Sequence, residues 1–336
     1  MARRTAGLGA LGIAGVFALA VLAATGFGTV NSWARRISFA IATGPSSGTY
    51  FPVGEAIAGL VSHPPGVDRC HRASVCGPEG LIATAQTSPG SMANVLAVNA
   101  GRVDSALAQS DVVAEAVRGI GPFRGARQTH LRVIAALYPE QIHIVARGKS
   151  HIATVAELRG KRISIGPANS GTAVTARRVL RAYRVAGVKL SNDSADSAAQ
   201  KLQAGKIDAF FFVGGAPIAL VQALLADGQA VLVPIDGAGA QRLIAQNEGL
   251  YPDSISPATY SLRRTVPTLS TESLWIVNDQ EPADVVFALT RALFDSSNRS
   301  LLEEGPRSMR LISVDRAPQN LPAPLHPGAA RFYKAR

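Results

Sequence analysis

The chain has 336 residues, 47% of them hydrophobic, with 34 Lys and Arg against 23 Asp and Glu for a formal net charge of +11. That length suffices for two lobes with a core each. The basic residues stand singly at surface-like positions such as Arg177, Arg178, Arg181 and Arg184, and the aromatics, 6% of the chain, are not interleaved with them, which excludes a base-stacking nucleic-acid surface.

Met1-Ala2-Arg3-Arg4 is basic and residues 6–30 are almost uncharged, rich in Ala, Leu, Gly and Val. This is the pattern of an export signal. Ser32-Trp33-Ala34 offers a small-x-small cleavage site, so residues 1–34 read as a signal peptide. They are also long enough for an N-terminal membrane anchor, the second reading, since about 20 apolar residues span a bilayer. Both place the remainder outside the cytoplasm.

Ile37-Ser38-Phe39-Ala40-Ile41 reads as a strand, Gly44-Pro45-Ser46-Ser47-Gly48-Thr49 as a tight loop, and residues 52–60 as a helix. Cys70 and Cys76 follow in a Gly/Pro-rich loop. In an exported chain they favour a local disulfide, and Cys70-His71 with Cys76 gives only three metal ligands, so no metal is assigned. Residues 81–86 alternate as a strand that leads through Ser88-Pro89-Gly90-Ser91 to a helix over 92–99. A strand over 103–108 then runs into Gln109-Ser110-Asp111, where Asp111 either caps a helix or touches a ligand. All these loops follow the carboxyl ends of strands, where open α/β sheets bind ligands.

Residues 141–146 read as a strand leaving the first lobe after Tyr138-Pro139, a natural hinge with Tyr138 at the cleft floor. His143 reads as a half-buried strand histidine. Lys161-Arg162-Ile163-Ser164-Ile165, the loop Gly166-Pro167-Ala168-Asn169-Ser170-Gly171-Thr172 and the helix after it repeat the opening unit. Gly205-Lys206-Ile207-Asp208 repeats Gly101-Arg102-Val103-Asp104 in the same order. Such internal similarity is what two related α/β lobes show. Gly214-Gly215 closes the next strand and reads either as amides facing the cleft or as a plain turn. A strand over 273–277 and a helix over 283–294 return the chain to the first lobe.

The chemistry of the two glycine loops is that of an oxyanion site. Glycine lets the backbone approach a ligand, hydroxyls donate, and the first helical turn presents unpaired N–H groups at the positive end of a dipole. Neither loop ends in Gly-Lys-Ser/Thr, and no dinucleotide fingerprint is present, so no cofactor is expected. Gly44-Pro45-Ser46-Ser47-Gly48 formally fits G-x-S-x-G, which keeps a secreted serine hydrolase using Ser46 as the alternative. It follows the first strand of the mature chain, however, with no upstream loop to supply an oxyanion hole.

The run over 37–50, Gly90-Ser91-Met92-Ala93-Asn94-Val95, Asp104 with Gln109-Ser110-Asp111, Leu131 through Tyr138-Pro139-Glu140, the stretches 166–175 and 206–215, and the tail Leu325-His326-Pro327-Gly328 through Arg331-Phe332-Tyr333 together resemble the TAXI-family solute receptors of TRAP transporters. The likeness covers nearly the whole mature chain. It implies an α/β fold of the two-lobed type II periplasmic binding protein kind, with a hinge and an interlobe ligand cleft. Residues 35–140 plus 275–336 would form lobe 1 and residues 141–274 lobe 2. It also implies a non-enzymatic receptor that captures a small carboxylate solute, glutamate-like, glutamine-like or another organic acid, and delivers it to the transporter's membrane subunits. A solute sensor for a regulatory partner would use the same site. The expected ligand-binding residues are Ser47, Gly48, Thr49 and Tyr50, then Ser91, Asn94, Gln109 and Tyr138, then Ser170, Gly171, Thr172, Gly214 and Gly215. The loop from Cys70 to Cys76 is enlarged relative to a plain family member.

Overall fold

The computed structural model describes residues 37–66, 68–71 and 75–336. The expected export segment lies outside the described residues, among which no helix is long and apolar enough to cross a membrane. The chain opens with β1 (Ile37–Ala42), in which Phe39 and Ile41 are buried, and turns into α1 (Tyr50–Val61). Val53, Ile57, Leu60 and Val61 recur on α1 at helical spacing and are all buried. Then come β2 (Leu81–Gln86), α2 (Ser91–Asn99), β3 (Ser105–Gln109) and α3 (Ser110–Arg118), which Gly119 ends in a left-handed conformation.

The long strand β4 (Leu131–Arg147) is followed by β5 (Arg162–Ser164), α4 (Gly171–Ala182), β6 (Lys189–Ser191), α5 (Ala195–Gln203) and β7 (Ala209–Gly214). Next are α6 (Ala219–Ala226), β8 (Ala230–Leu232), α7 (Gly237–Gln246), β9 (Tyr251–Ile255) and the one-turn α8 (Pro257–Tyr260). A second long strand, β10 (Val266–Asn278), leads to α9 (Ala283–Leu293), α10 (Arg299–Glu304) and α11 (Pro327–Lys334).

The strands form a single sheet in the order β2-β1-β3-β10-β4-β7-β5-β6, with β8 beside β4 and β9 beside β10. Two lobes share it. The first is the run β2-β1-β3-β10-β4, and the second repeats that plan as β6-β5-β7-β4-β8, with β1/β3 and β5/β7 parallel and the returning strand antiparallel. The sequence echo has a structural cause here. Asp104, before β3, accepts the Ala40 N–H of β1 at 2.6 Å, and Asp208, before β7, accepts the Arg162 N–H of β5 at 2.9 Å. Each carboxylate thus continues a ladder where its own strand has not yet begun.

Period-two alternation fills the second lobe's two faces. Ile142, Ile144, Phe211 and Val213 point to the core under α4 and α7, while Val145, Phe210 and Phe212 point to the one under α5 and α6. The run at β7 is apolar throughout because both of its faces are covered. In the first lobe α2 and α3 close one core, and α9 and α11 meet through Phe287 and Phe332, with ring centroids 6.3 Å apart.

Several expectations change. The strand read over 141–146 is the second half of one 17-residue strand that runs through Pro139, which pairs opposite Glu272. Likewise β10 begins at Val266, not at 273. The boundaries expected at 140/141 and 274/275 therefore fall inside two continuous strands. Arg178 is not a surface residue but 4% exposed. The disulfide between Cys70 and Cys76 is formed, with an S–S distance of 2.06 Å.

His143 is fully buried: Nδ1 faces the Gln141 carbonyl and Nε2 the Tyr260 hydroxyl, both at 3.0 Å. Burial holds its pKa down to about 4. The unfolded chain, with an ordinary imidazole, binds the extra proton below pH 6.5, so this group makes stability fall as pH drops from about 6.5 to about 4, by up to about 3 kcal/mol. Urea unfolding at pH 7.5 and 4.5 should show that loss in the native protein and a smaller one in His143→Gln.

Candidate functional site

One cleft lies at the carboxyl ends of the parallel strands of both lobes. From the first lobe it is lined by the loop between β1 and α1 at Ser47, Gly48, Thr49 and Tyr50, by Gly90 and Ser91 at the start of α2, by Gln109 at the end of β3 and by Glu140 of β4. The second lobe contributes Ser164, Gly166, Ser170, Gly171 and Thr172, then Asp193, and Phe211, Phe212 and Val213 of β7. Nine of the thirteen expected residues are thus brought together: Ser47, Gly48, Thr49, Tyr50, Ser91, Gln109, Ser170, Gly171 and Thr172.

The other four sit elsewhere. Asn94 is fully buried behind the wall, its Nδ2 donating to the Thr43 carbonyl at 2.6 Å and the Leu107 carbonyl at 2.7 Å, so it ties β1 to β3. Tyr138 is fully buried; its hydroxyl faces Thr49 and Ser273 without a well-formed hydrogen bond to either. Gly215 packs against Tyr138 and Ser308, where a Cβ would lie 3.1 Å and 2.9 Å from their side chains. Gly214 lies against Thr49 and Phe212, so these glycines serve close packing between the lobes.

The helix termini differ in what they leave free. Ser170 Oγ accepts the Ala173 N–H at 3.0 Å and caps α4, and Thr172 Oγ1 accepts the Val213 N–H at 3.2 Å. By contrast, Thr49 before α1 and Gly90 before α2 make no side-chain cap, so no capping side chain takes the N–H groups of Tyr50 and Phe51 or of Ser91 and Met92, although Ala93 N is taken by the Asn169 carbonyl. Gly90, at φ 117°, occupies a conformation that only glycine adopts readily.

Glu140 is one of the cleft residues that sequence reading missed, with Ser164, Asp193 and Phe211 to Val213. It is 1% exposed, and Tyr50 Oη donates to its Oε2 at 2.6 Å. Burial pushes its carboxyl well above the usual range; the Tyr50 hydrogen bond opposes this, and the charges of Asp111 and Glu272 add to it. The available signal was its place two residues beyond Tyr138, on the same strand face. Asp193, the other acid of the lining, is bound by Lys201 and by Ser191 Oγ, the latter at 2.6 Å. No Lys, Arg or His lines the cleft among the described residues, and none of their acids, histidines and cysteines gather as a metal site.

The lobes touch along the rim. Ala93 N donates to the Asn169 carbonyl at 3.1 Å, and a Cβ on Gly171 would overlap the Gln109 carboxamide and press on Ser91 Oγ at 2.7 Å. Beside this contact Arg178 of α4 pairs with Asp111 and Glu115 of α3, and their side chains are 4%, 0% and 14% exposed. Asp111 is therefore neither a helix cap nor part of the cleft lining. It holds the other lobe.

The profile of the NMT1-like family matches residues 41–335. The chain belongs to the NMT1-like family. Its structure is similar to that of MatC (Rpa3494) from Rhodopseudomonas palustris with bound malate, at 13% identity and a TM-score of 0.55, over 89% of this chain and 97% of that one. It is also similar to a structure described as a periplasmic transporter, at 12% identity and a TM-score of 0.49, over 90% and 93% of the two chains. A third similar structure is an ancestral arginine-binding protein bound to arginine, at 14% identity and a TM-score of 0.46, over 80% and 98%. The match to MatC supports the two-lobed periplasmic binding protein fold of this NMT1-like chain.

Removing Arg178 leaves two buried carboxylates facing each other without a cation. Arg178→Met should lower the unfolding free energy in urea by about 3–5 kcal/mol, the range for a buried pair broken on one side. Adding Asp111→Asn and Glu115→Gln to it should restore part of that loss, because no unpaired charge then remains.

Proposed function

We propose that this NMT1-like protein is the extracytoplasmic solute receptor of a TRAP-type secondary transporter, of the TAXI kind, and that it captures a small carboxylate solute by closing its lobes. The observation that carries this reading is the convergence on one cleft of the uncapped starts of α1 and α2 with the glycine loop that opens α4. Main-chain N–H groups and hydroxyls there suit a carboxylate without a fixed cation. The carboxylate lies between Ser47, Gly48 and Thr49 in one lobe and Gly171 and Thr172 in the other, with Tyr50, Ser91 and Gln109 shaping the space around it.

Lobe 1 comprises residues 35–140 plus 275–336, lobe 2 comprises residues 141–274, and β4 and β10 bend between them. Solute touches both lobes only when they are shut, so binding shifts the equilibrium toward the closed state that the membrane subunits recognise. The N-terminal export pattern supports a location outside the cytoplasm. The malate bound to MatC supports an acidic solute. The hydrolase reading finds less support: Ser46 is exposed, lies outside the cleft lining and hydrogen-bonds to no histidine among the described residues.

The test is a thermal-shift screen of residues 35–336, unfolded and refolded to remove bound solute, against amino acids and organic acids. A solute that binds only the folded state adds about 2.7 kcal/mol at one hundred times its Kd. A selective rise in Tm with a small carboxylate is expected. No shift with any of them, alongside ester hydrolysis by the refolded chain, would reverse the reading.

A further inference from the structure

On the receptor reading above, we infer that Glu140 accepts the protonated amine of the solute, so that the cleft selects a zwitterionic amino acid over the plain organic acid of the same skeleton. Three observations lead there. Glu140 lines the cleft yet is 1% exposed, which places a carboxyl in a nearly water-free wall. Its Oε2 takes the Tyr50 hydroxyl at 2.6 Å, the one side-chain hydrogen bond of this carboxyl among the described residues, which leaves Oε1 for a ligand. And among the described residues its charged neighbours are acids, Asp111 and Glu272, with no cation.

The groups that face Glu140 are named from each element around it. They are Tyr50 on α1, Tyr138 on β4, Asp111 on α3 and Glu272 on β10: two phenols and two acids. Asp111 is engaged by Arg178 and Glu272 by Arg316, so those arginines are held away by other partners. Across the cleft, Asp193 is held by Lys201. A buried carboxylate is stable only when paired. With no protein cation in reach, Glu140 either keeps its proton or waits for a cation that arrives with the solute.

An amine completes the site. Its N–H groups meet the open Oε1 in a charge-assisted hydrogen bond, while the solute's carboxylate turns to the helix starts and hydroxyls of the same cleft. A dicarboxylate would bring a second negative charge to a wall whose only ionisable members, among the described residues, are Glu140, Asp193 and Tyr50. It could bind there only if Glu140 kept its proton and donated it as a hydrogen bond. The two cases differ in proton count. An ammonium displaces the proton of Glu140 into solution, so affinity rises with pH while that carboxyl titrates. A carboxylate requires the proton, so its affinity falls as pH rises.

The experiment is isothermal titration of the refolded full chain from residue 35 with matched sets differing only at the amine: L-glutamate, L-glutamine and L-alanine against 2-oxoglutarate, 2-oxoglutaramate and pyruvate. It is run on the native protein and on Glu140→Gln, in two buffers of different ionisation enthalpy. In the set that binds, the amine-bearing member should be favoured by about 100-fold, as for a buried charge pair. That member should release protons on binding, and Glu140→Gln should bring the ratio to within about tenfold. An oxo acid that binds the native protein as tightly as its amine partner would overturn the inference while leaving the receptor reading intact. So would a preference unchanged in a folded Glu140→Gln. Should that variant fail to fold, the native ratio and its pH slope decide alone. If no member of any set binds the folded protein, the inference is overturned, while the receptor reading is decided by the wider thermal-shift screen.

Discussion

Everything in this protein hangs on the antiparallel pair of β4 and β10. Each is too long for one lobe, and they are bonded to each other from Leu131 with Asn278 to Gln141 with Ser270. The two lobes therefore hang on one ladder instead of meeting through a linker. The pairing fixes where the carboxyl ends of β1, β3, β5 and β7 point and hence where the cleft lies. It also sets Glu140 and Tyr138 at the middle of the molecule, where a side chain is covered from both lobes. Two register irregularities, between Ser273 and Leu274 and between Trp275 and Ile276, interrupt the ladder on the first-lobe side and give that long ribbon its local twist.

On the proposed receptor reading, closure depends on contacts on the other side of the sheet ends. The rim mixes polar and apolar contact: beside glycines, hydroxyls, one carboxamide and a buried ion cluster, Val174 of α4 packs against the first lobe's core. A rim of this kind is suited to opening: the groups that pair on closing lose hydration, and the ligand and the Arg178 cluster offset that loss together. Because Arg178 is not part of the cleft lining, it can act on the balance between open and closed without touching the solute. The cleft floor behaves differently, since Glu140 and Tyr50 stay buried against each other.

Much of this was legible in the sequence. The two strand–loop–helix units and the two Gly-basic-apolar-Asp echoes each map onto the same place in the two lobes, because they answer the same local needs: a turn at a strand's end, and a carboxylate to finish a ladder. Nine of the expected site residues share one cleft for that reason. What was hidden depends on partners distant in the chain. Arg178 looks like its exposed neighbours Arg177 and Arg181 until Asp111, 67 residues away, is placed against it. Asn94 sits in α2 just after a donor-rich loop but turns inward to the carbonyls of Thr43 and Leu107. Pro139 suggested a break, although in the structure the strand passes through it, and the misplaced break drew attention to Tyr138 at the expense of Glu140.

The central claim is that solute closes the lobes about β4 and β10. Small-angle X-ray scattering of the refolded chain, with and without a saturating solute, tests it most directly. The account predicts a smaller radius of gyration and a narrower distance distribution with solute bound, with the bound profile matching the structure described here. A solute that binds tightly while the profile stays unchanged would contradict it.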